Sequence, residues 1–384
     1  QEQTSRLGFK GTEDLGGGAS AFFTVEMGLA PQNANLSGSQ TAKDAFQNTD
    51  QNAGSALDNR QSFVGLKKNG LGQFAFGRQY TPIFNAGAAT DASQYANVVG
   101  NVIYQGSAVG TAADSGLGAG SANGAFTNRA SNALTVASDK FAGFGVNAMY
   151  AFNQANTTLN HNGTPGATPA SSSSAGGNVN WSGWGLGADY TWNKLYATVA
   201  YQSFNTSNLN SVVTAATNVN FGAGVMSGYQ TAAGTLFTPN SLTDKQTYAA
   251  VTYDFGILKA YAQWVGRKIQ QNAGTTLIGE QANRTAEQIG VRSYITPTIE
   301  GWASAGMGRY KGAPLAAATS QLAAGVASPT VNFTGWQLGG NYYLSKRTNV
   351  YAIYGQQQSS SATPNTAGSG NTANQYSLGV RHTF

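Results

Sequence analysis

Apolar and polar side chains alternate residue by residue in runs of about ten along most of this chain. Trp184, Leu186, Ala188, Tyr190 and Trp192 share one parity, and Gly185, Gly187, Asp189 and Thr191 the other. Trp336, Leu338, Tyr342 and Leu344 alternate with Gln337, Gly339, Asn341 and Tyr343. Near the C-terminus, Tyr376, Leu378, Val380 and Phe384 oppose Gln375, Ser377, Gly379 and Arg381. A period of two is that of β-strands with unlike faces.

The runs come in pairs across short polar turns. The pattern predicts strands over 5–12 with 19–29, 60–69 with 72–80, 131–139 with 143–152, and 180–192 with 195–204. It continues with 244–255 and 257–267, 285–296 and 299–310, 333–344 and 347–358, and a last run at 374–384. The turns carry hairpin chemistry, such as DLGGG at 14–18, NGLG at 69–72 and NK at 193–194. Connections between pairs are long and of loop composition, as in ATPASSSSAGG at 167–177. Short turns therefore lie at one end of the sheet and long loops at the other.

Periodicity alone does not separate a soluble sandwich from a membrane barrel. Size and residue placement favour the barrel. Fifteen strands without helices make too large a sheet to stay open comfortably, and run length matches the ~9–11 tilted residues of a membrane strand. Aromatics sit at run ends, as in the girdles of membrane barrels. Backbone satisfaction in lipid requires closure. The predicted fold is an all-β transmembrane antiparallel β-barrel with a polar lumen, a single domain over 1–384.

Composition narrows the function. Only 21 Lys plus Arg and 16 Asp plus Glu occur in 384 residues, with 50 Gly and no Cys. No apolar stretch reaches the ~18 residues of a membrane helix. The absence of Cys excludes disulfide frameworks and thiolate metal sites. A net charge of +5, with basic residues spread from Lys10 to Arg381, gives no nucleic-acid footprint. His161 and His382 lack the setting of a catalytic base. TEDLGGG has no helix or Lys after it and reads as a tight turn, not a phosphate loop. No catalytic residue, cofactor or metal site is expected.

Several segments resemble the Gram-negative general-diffusion porins, in their β-proteobacterial branch. TSRLGFKGTEDLGGGASAFFTVE at 4–26 is similar to that family's second and third strands, and LSKRTNVYAIYG at 344–355 with SLGVRHTF at 377–384 to its last three. FGRQYTPIF at 76–84 resembles the strand end before the pore-constricting loop. The resemblance implies a sixteen-stranded, homotrimeric barrel in the bacterial outer membrane, with periplasmic turns and extracellular loops. It implies passive passage of small hydrophilic solutes and inorganic ions, with outer-membrane lipid as its surroundings. Fifteen runs are counted, and only three residues precede TSRLG, so the family's first strand is expected to be missing from this sequence.

The resemblance also folds 81–130 inward as the constriction, opposite a basic cluster mapped onto Arg6, Arg60 and Arg129. Parity independently places Arg6 and Arg129 in the lumen, because Leu7, Phe9, Leu134 and Val136 take the lipid side. Arg60 is ambiguous, sharing parity with Val64 and Leu66. Arg381 and Lys10 are additional lumen cations; Lys259, Arg292 and Arg309 are weaker candidates. Asp91 and Asp114 are the acids of the constriction loop, and Glu26 is placed to hold a wall arginine. With so few acids, selectivity is expected to lean mildly to anions. One alternative is a channel selective for small carboxylates or sugars, using lumen-parity Tyr196, Tyr261, Tyr294 and Tyr343. A remoter one is a secreted β-rich adhesin without a pore, whose short fixed repeat is not seen.

Overall fold

Fifteen long strands form one continuous antiparallel sheet in the computed structural model, which describes residues 2–29, 58–103, 129–152, 157–159, 177–208, 212–213, 236–237, 240–273, 281–311, 330–360 and 371–384. The first half comprises β1 (Ser5–Gly16), β2 (Ala19–Leu29), β3 (Asp58–Lys68), β4 (Gly72–Tyr80), α1 (Pro82–Thr90), β5 (Arg129–Ser138), β6 (Phe144–Ala151), β7 (Thr157–Leu159), β8 (Gly177–Trp192) and β9 (Leu195–Asn208). The second comprises β10 (Val212–Val213), β11 (Leu236–Phe237), β12 (Asn240–Asp254), β13 (Lys259–Ala273), β14 (Gln281–Thr296), β15 (Ile299–Lys311), β16 (Thr330–Tyr343), β17 (Thr348–Ser359) and β18 (Asn371–His382). The short β7 pairs with β8, and β10 pairs only with β11. Sequence neighbours pair throughout, as expected of an up-and-down wall.

Several strands run past the predicted ends on the long-loop side; β12 begins at Asn240, not 244, and β13 continues to Ala273, not 267. The apolar alternation stops where the outer face leaves the lipid, but the hydrogen-bond ladder continues above it. Because the strand count is odd, β1 and β18 run in the same direction, and they are not hydrogen-bonded to each other. The sheet nevertheless curls until residues before β1 approach its other edge. Glu2 is buried, accepting from Asn349 Nδ2 of β17 at 3.4 Å and lying 4.0 Å from Arg381 Nη1 of β18.

The two faces invert the usual order of a soluble protein. Leu186, Ile289, Leu338 and Val380 are exposed on the convex face, whereas Gln202, Gln246, Gln288 and Gln337 are buried on the concave one. Exposed aromatics bracket the apolar band. Tyr150, Trp184, Trp336 and Tyr354 mark its loop side, and Phe144, Trp192, Phe255 and Tyr342 its turn side. Trp184 and Trp192 are about 26 Å apart along one strand at about 3.3 Å per residue, or about 20 Å in height at a tilt of about 40°, so the ring pair lies near the two edges of a band ~25 Å tall. An arginine at Leu338, inside this band and 57% exposed, is expected to cost about 2–4 kcal/mol of folding free energy in a bilayer. Urea titration of the refolded protein in lipid vesicles reads this directly. A loss below about 0.5 kcal/mol, the scale of an ordinary surface change, would mean that this face does not meet lipid.

Candidate pore constriction

Five neighbouring strands bring three arginines around one glutamate and one tyrosine. Arg6 of β1 places Nη1 3.5 Å from Glu26 Oε2 of β2. Their positions follow from register, since Arg6 faces Gly28 and Gly8 faces Glu26, making the two side chains diagonal neighbours on one face. Arg60 of β3 donates from Nε to Glu26 Oε1 at 2.7 Å and from Nη2 to the Tyr80 hydroxyl at 2.8 Å. The pairing of β2 with β3 shifts there, with Glu26 opposite Gln61 and Met27 opposite Asn59. Arg60 is therefore the extra residue of a β-bulge, which re-aims its side chain inward despite its parity. Arg129, first in β5, holds its guanidinium 5.3 Å from the Tyr80 ring centroid.

Tyr80 also connects this wall to the segment that follows it. Its ring stacks on Phe84 of α1 at 3.7 Å with the planes 3° apart, and Phe84 lies 5.3 Å from Tyr95. Helix α1 starts at Thr81, whose hydroxyl accepts from Phe84 N at 3.3 Å, with Pro82 in the first turn. This is a standard N-cap followed by a proline that lacks the donor the first turn leaves unpaired. The helix was not predicted, although the Thr-Pro pair signals its start. Its buried Ile83 and Ala86 join Ala200, Tyr248 and Val265 in an apolar cluster on the concave face. Thr90 Oγ1 and the Tyr248 hydroxyl are 2.5 Å apart, so the helix end is pinned to β12.

Asp91 ends the helix and is enclosed, at 2% exposure, rather than presented to open space. Its carboxylate accepts from Ser93 Oγ at 2.6 Å, Tyr95 N at 2.7 Å and Asn101 Nδ2 at 3.2 Å. Burial pushes this carboxyl above the usual carboxylate range, against the pull of those donors. Beyond it, Arg292 of β14 donates to the Ala92 carbonyl at 2.8 Å while forking onto Glu300 at 2.5 and 2.6 Å. The second predicted loop acid, Asp114, lies outside the described residues.

The remaining candidates scatter. Lys10 is exposed on the inner face of β1, below Arg6 toward the short turn. Arg381 sits at the turn end of β18 beside Glu2. Arg309 shares parity with exposed Met307 and points outward, above the apolar band. The tyrosines do not form one track. Tyr196 lies under Lys140, Tyr261 under Lys259, and only Tyr294 and Tyr343 pair, at 6.0 Å. Two residues packed in and beside this cluster escaped the sequence reading. Tyr80 had no charge to draw attention, and Arg78, which donates to the Asn59 carbonyl and Ser131 Oγ at 2.7 Å each, shares parity with lipid-facing Phe74 and Phe76. Arg78 is nevertheless buried, beside a shift in the β4–β5 register whose extra residue lies on β5.

An apolar convex band between aromatic belts, around a polar concave face with an arginine wall and an inward-packed helix, defines a transmembrane β-sheet protein of the bacterial outer-membrane type. The chain belongs to the Gram-negative porin family, whose sequence profile matches residues 1–362. A major outer membrane protein P.IB of Neisseria gonorrhoeae is 35% identical over 99 residues, covering 26% of this chain and 23% of that protein. The match thus spans about a quarter of that relative's length. An anion-selective porin from Comamonas acidovorans superposes with a TM-score of 0.63 at 19% identity, over 100% of this chain and 90% of the other. The trimer form of OmpT, an outer membrane protein of Vibrio cholerae, gives 0.56 at 14% identity over 99% and 91%. These likenesses establish the fold, and family membership places the protein in the outer membrane.

Proposed function

We propose that the protein is a passive, homotrimeric channel of the outer membrane for small hydrophilic solutes and inorganic ions, mildly selective for anions and without covalent chemistry. The observation that carries this reading is the wall of Arg6, Arg60 and Arg129, with Glu26 as the acid paired to it among the described residues, facing the inward-packed segment that starts at Thr81. Guanidiniums stay charged at any physiological pH, so among the described residues of the wall the three arginines outnumber the acid paired with them. In a narrow, water-filled passage such a field concentrates anions and repels cations. The anion-selective relative and the trimeric one support the reading.

Reconstitution in a planar bilayer tests it. Stepwise conductance is expected, with a reversal potential displaced toward chloride across a potassium chloride gradient, and less displaced in Arg129→Ala. Cation-displaced steps would keep the channel and remove the arginine filter. Folded protein without steps would remove the channel. Unheated gel migration at three times the 39.7 kDa protomer is the outcome expected for the trimer.

A further inference from the structure

Residues 96–103 lie backbone-first against the concave faces of β15, β16 and β17, on a floor of three glycines. Gly306 and Gly335 are register partners on β15 and β16, and Gly355 of β17 pairs with Gln337. A Cβ on Gly306 would collide with the Val102 side chain, one on Gly335 with the Gly100 carbonyl, and one on Gly355 with the Val99 carbonyl. The segment answers in kind. Gly100 has φ +107°, a backbone state that favours glycine, and a Cβ there would strike the Trp336 carbonyl.

Side-chain hooks from the wall hold the same stretch. Gln337 Nε2 donates to the Val98 carbonyl at 2.5 Å, Val99 N to Gln375 Oε1 at 3.0 Å, and Val102 N to Gln288 Oε1 at 3.1 Å. Arg284 Nη2 donates to the Val102 carbonyl. Ala96 and Val98 complete an apolar cluster with Trp302, Tyr351 and Ile353. Backbone groups that the segment would otherwise bury unpaired are thus satisfied by β14, β16 and β18 together.

We infer that Gly306, Gly335 and Gly355 determine the bore of the channel, by seating 96–103 as a fixed lining of the wall and not as a swinging gate. The inference rests on the channel reading above and adds the residues that set the size limit. A side chain on the floor lifts the segment, whereas flat glycine lets it lie one backbone thickness from the sheet.

The test compares Gly335→Val and Gly355→Val with wild type, by single-channel conductance and by vesicle swelling in neutral sugars of increasing size. If the side chain lifts the segment off the wall into the lumen, conductance falls roughly twofold as the narrowest cross-section shrinks, and larger sugars that wild type admits are excluded. Gly340→Val, on the outward face of β16 where a Cβ meets only the Glu300 carbonyl at 3.5 Å, leaves both unchanged. Wild-type steps with unchanged or raised conductance in both floor variants would overturn the inference alone. Wild type without steps would overturn the channel reading instead. Should the valine variants not fold, the double variant Val102→Cys/Gly306→Cys decides, in a chain with no other cysteine. A cross-link on oxidation supports the fixed lining; folded protein that does not cross-link overturns it.

Discussion

Replacing Arg60 by alanine lowers chloride preference, and replacing Glu26 by glutamine raises it above wild type. The opposite signs follow from one cluster. Among the described residues, Arg6, Arg60 and Arg129 with Glu26 carry a net charge of +2; Arg60→Ala lowers it by one and Glu26→Gln raises it by one. A unit charge about 4 Å from a passing ion contributes about 1 kcal/mol in bulk water and about 4 kcal/mol at an effective dielectric of about 20. Since about 1.4 kcal/mol is tenfold in partition, the bulk-water figure is about fivefold for each ion and opposite in sign for the two, so each change shifts the chloride-to-potassium permeability ratio by about thirtyfold before screening. The contrast is largest near 0.1 M salt, where the screening length is about 10 Å, and shrinks toward 1 M, where it is about 3 Å. Tyr80 keeps Arg60 in place in the Glu26 variant, because the Nη2 bond to its hydroxyl does not involve the carboxylate. Reversal potentials moving the same way in both variants would mean that the cluster does not face the ion path.

Asp244→Ala is expected to be the most damaging single polar substitution in the described wall. Asp244 is fully buried on β12 and receives Arg267 of β13 twice, with Nε at 3.0 Å and Nη2 at 2.8 Å to Oδ2. Gln246 Nε2 donates to the same oxygen at 2.9 Å and Gln202 Nε2 in turn to Gln246 Oε1 at 2.8 Å, so four side chains share one network across three strands. Removing one partner of a buried pair strands the other charge and costs about 3–5 kcal/mol. The double replacement Asp244→Leu/Arg267→Met removes both charges and recovers most of that loss, as buried pairs often tolerate apolar substitutes. Urea unfolding of vesicle-folded protein measures both. A loss under about 1 kcal/mol in Asp244→Ala, the range of exposed pairs, would show that water screens this site.

Much of the wall was legible from residue order because the pleat is a local property. Leu186 and Ala188 must share a face whatever the rest of the chain does, and Gly16–Gly18 or Asn193 must turn wherever they fall. Parity likewise settled Arg6 without knowledge of any partner. Arg60 defeated it, and Arg129 lies across a register shift from Leu134, with Ala130 and Ala133 opposite Gln79 and Gly77. A bulge resets parity, and whether a strand carries one depends on its neighbour's register, not on its own sequence.

The inward segment shows the other limit. Ala200, Tyr248, Val265 and Ala286 break the polar rule on the concave face, and this was the signal that something apolar covers them. Nothing local to β9, β12, β13 or β14 states that the cover is α1, some hundred or more residues earlier in the chain. Asp91 counted as a loop acid by composition, yet tertiary packing encloses it among Ser93, Tyr95 and Asn101. Sequence alone determined the strands, their two faces, the ends carrying turns and loops, and the excess of basic over acidic residues. Only the tertiary structure decided which charges meet, through Glu26 and Tyr80, and where the inward segment comes to rest. Alternation is set residue by residue along one strand, whereas those contacts depend on register and curvature accumulated across the whole sheet.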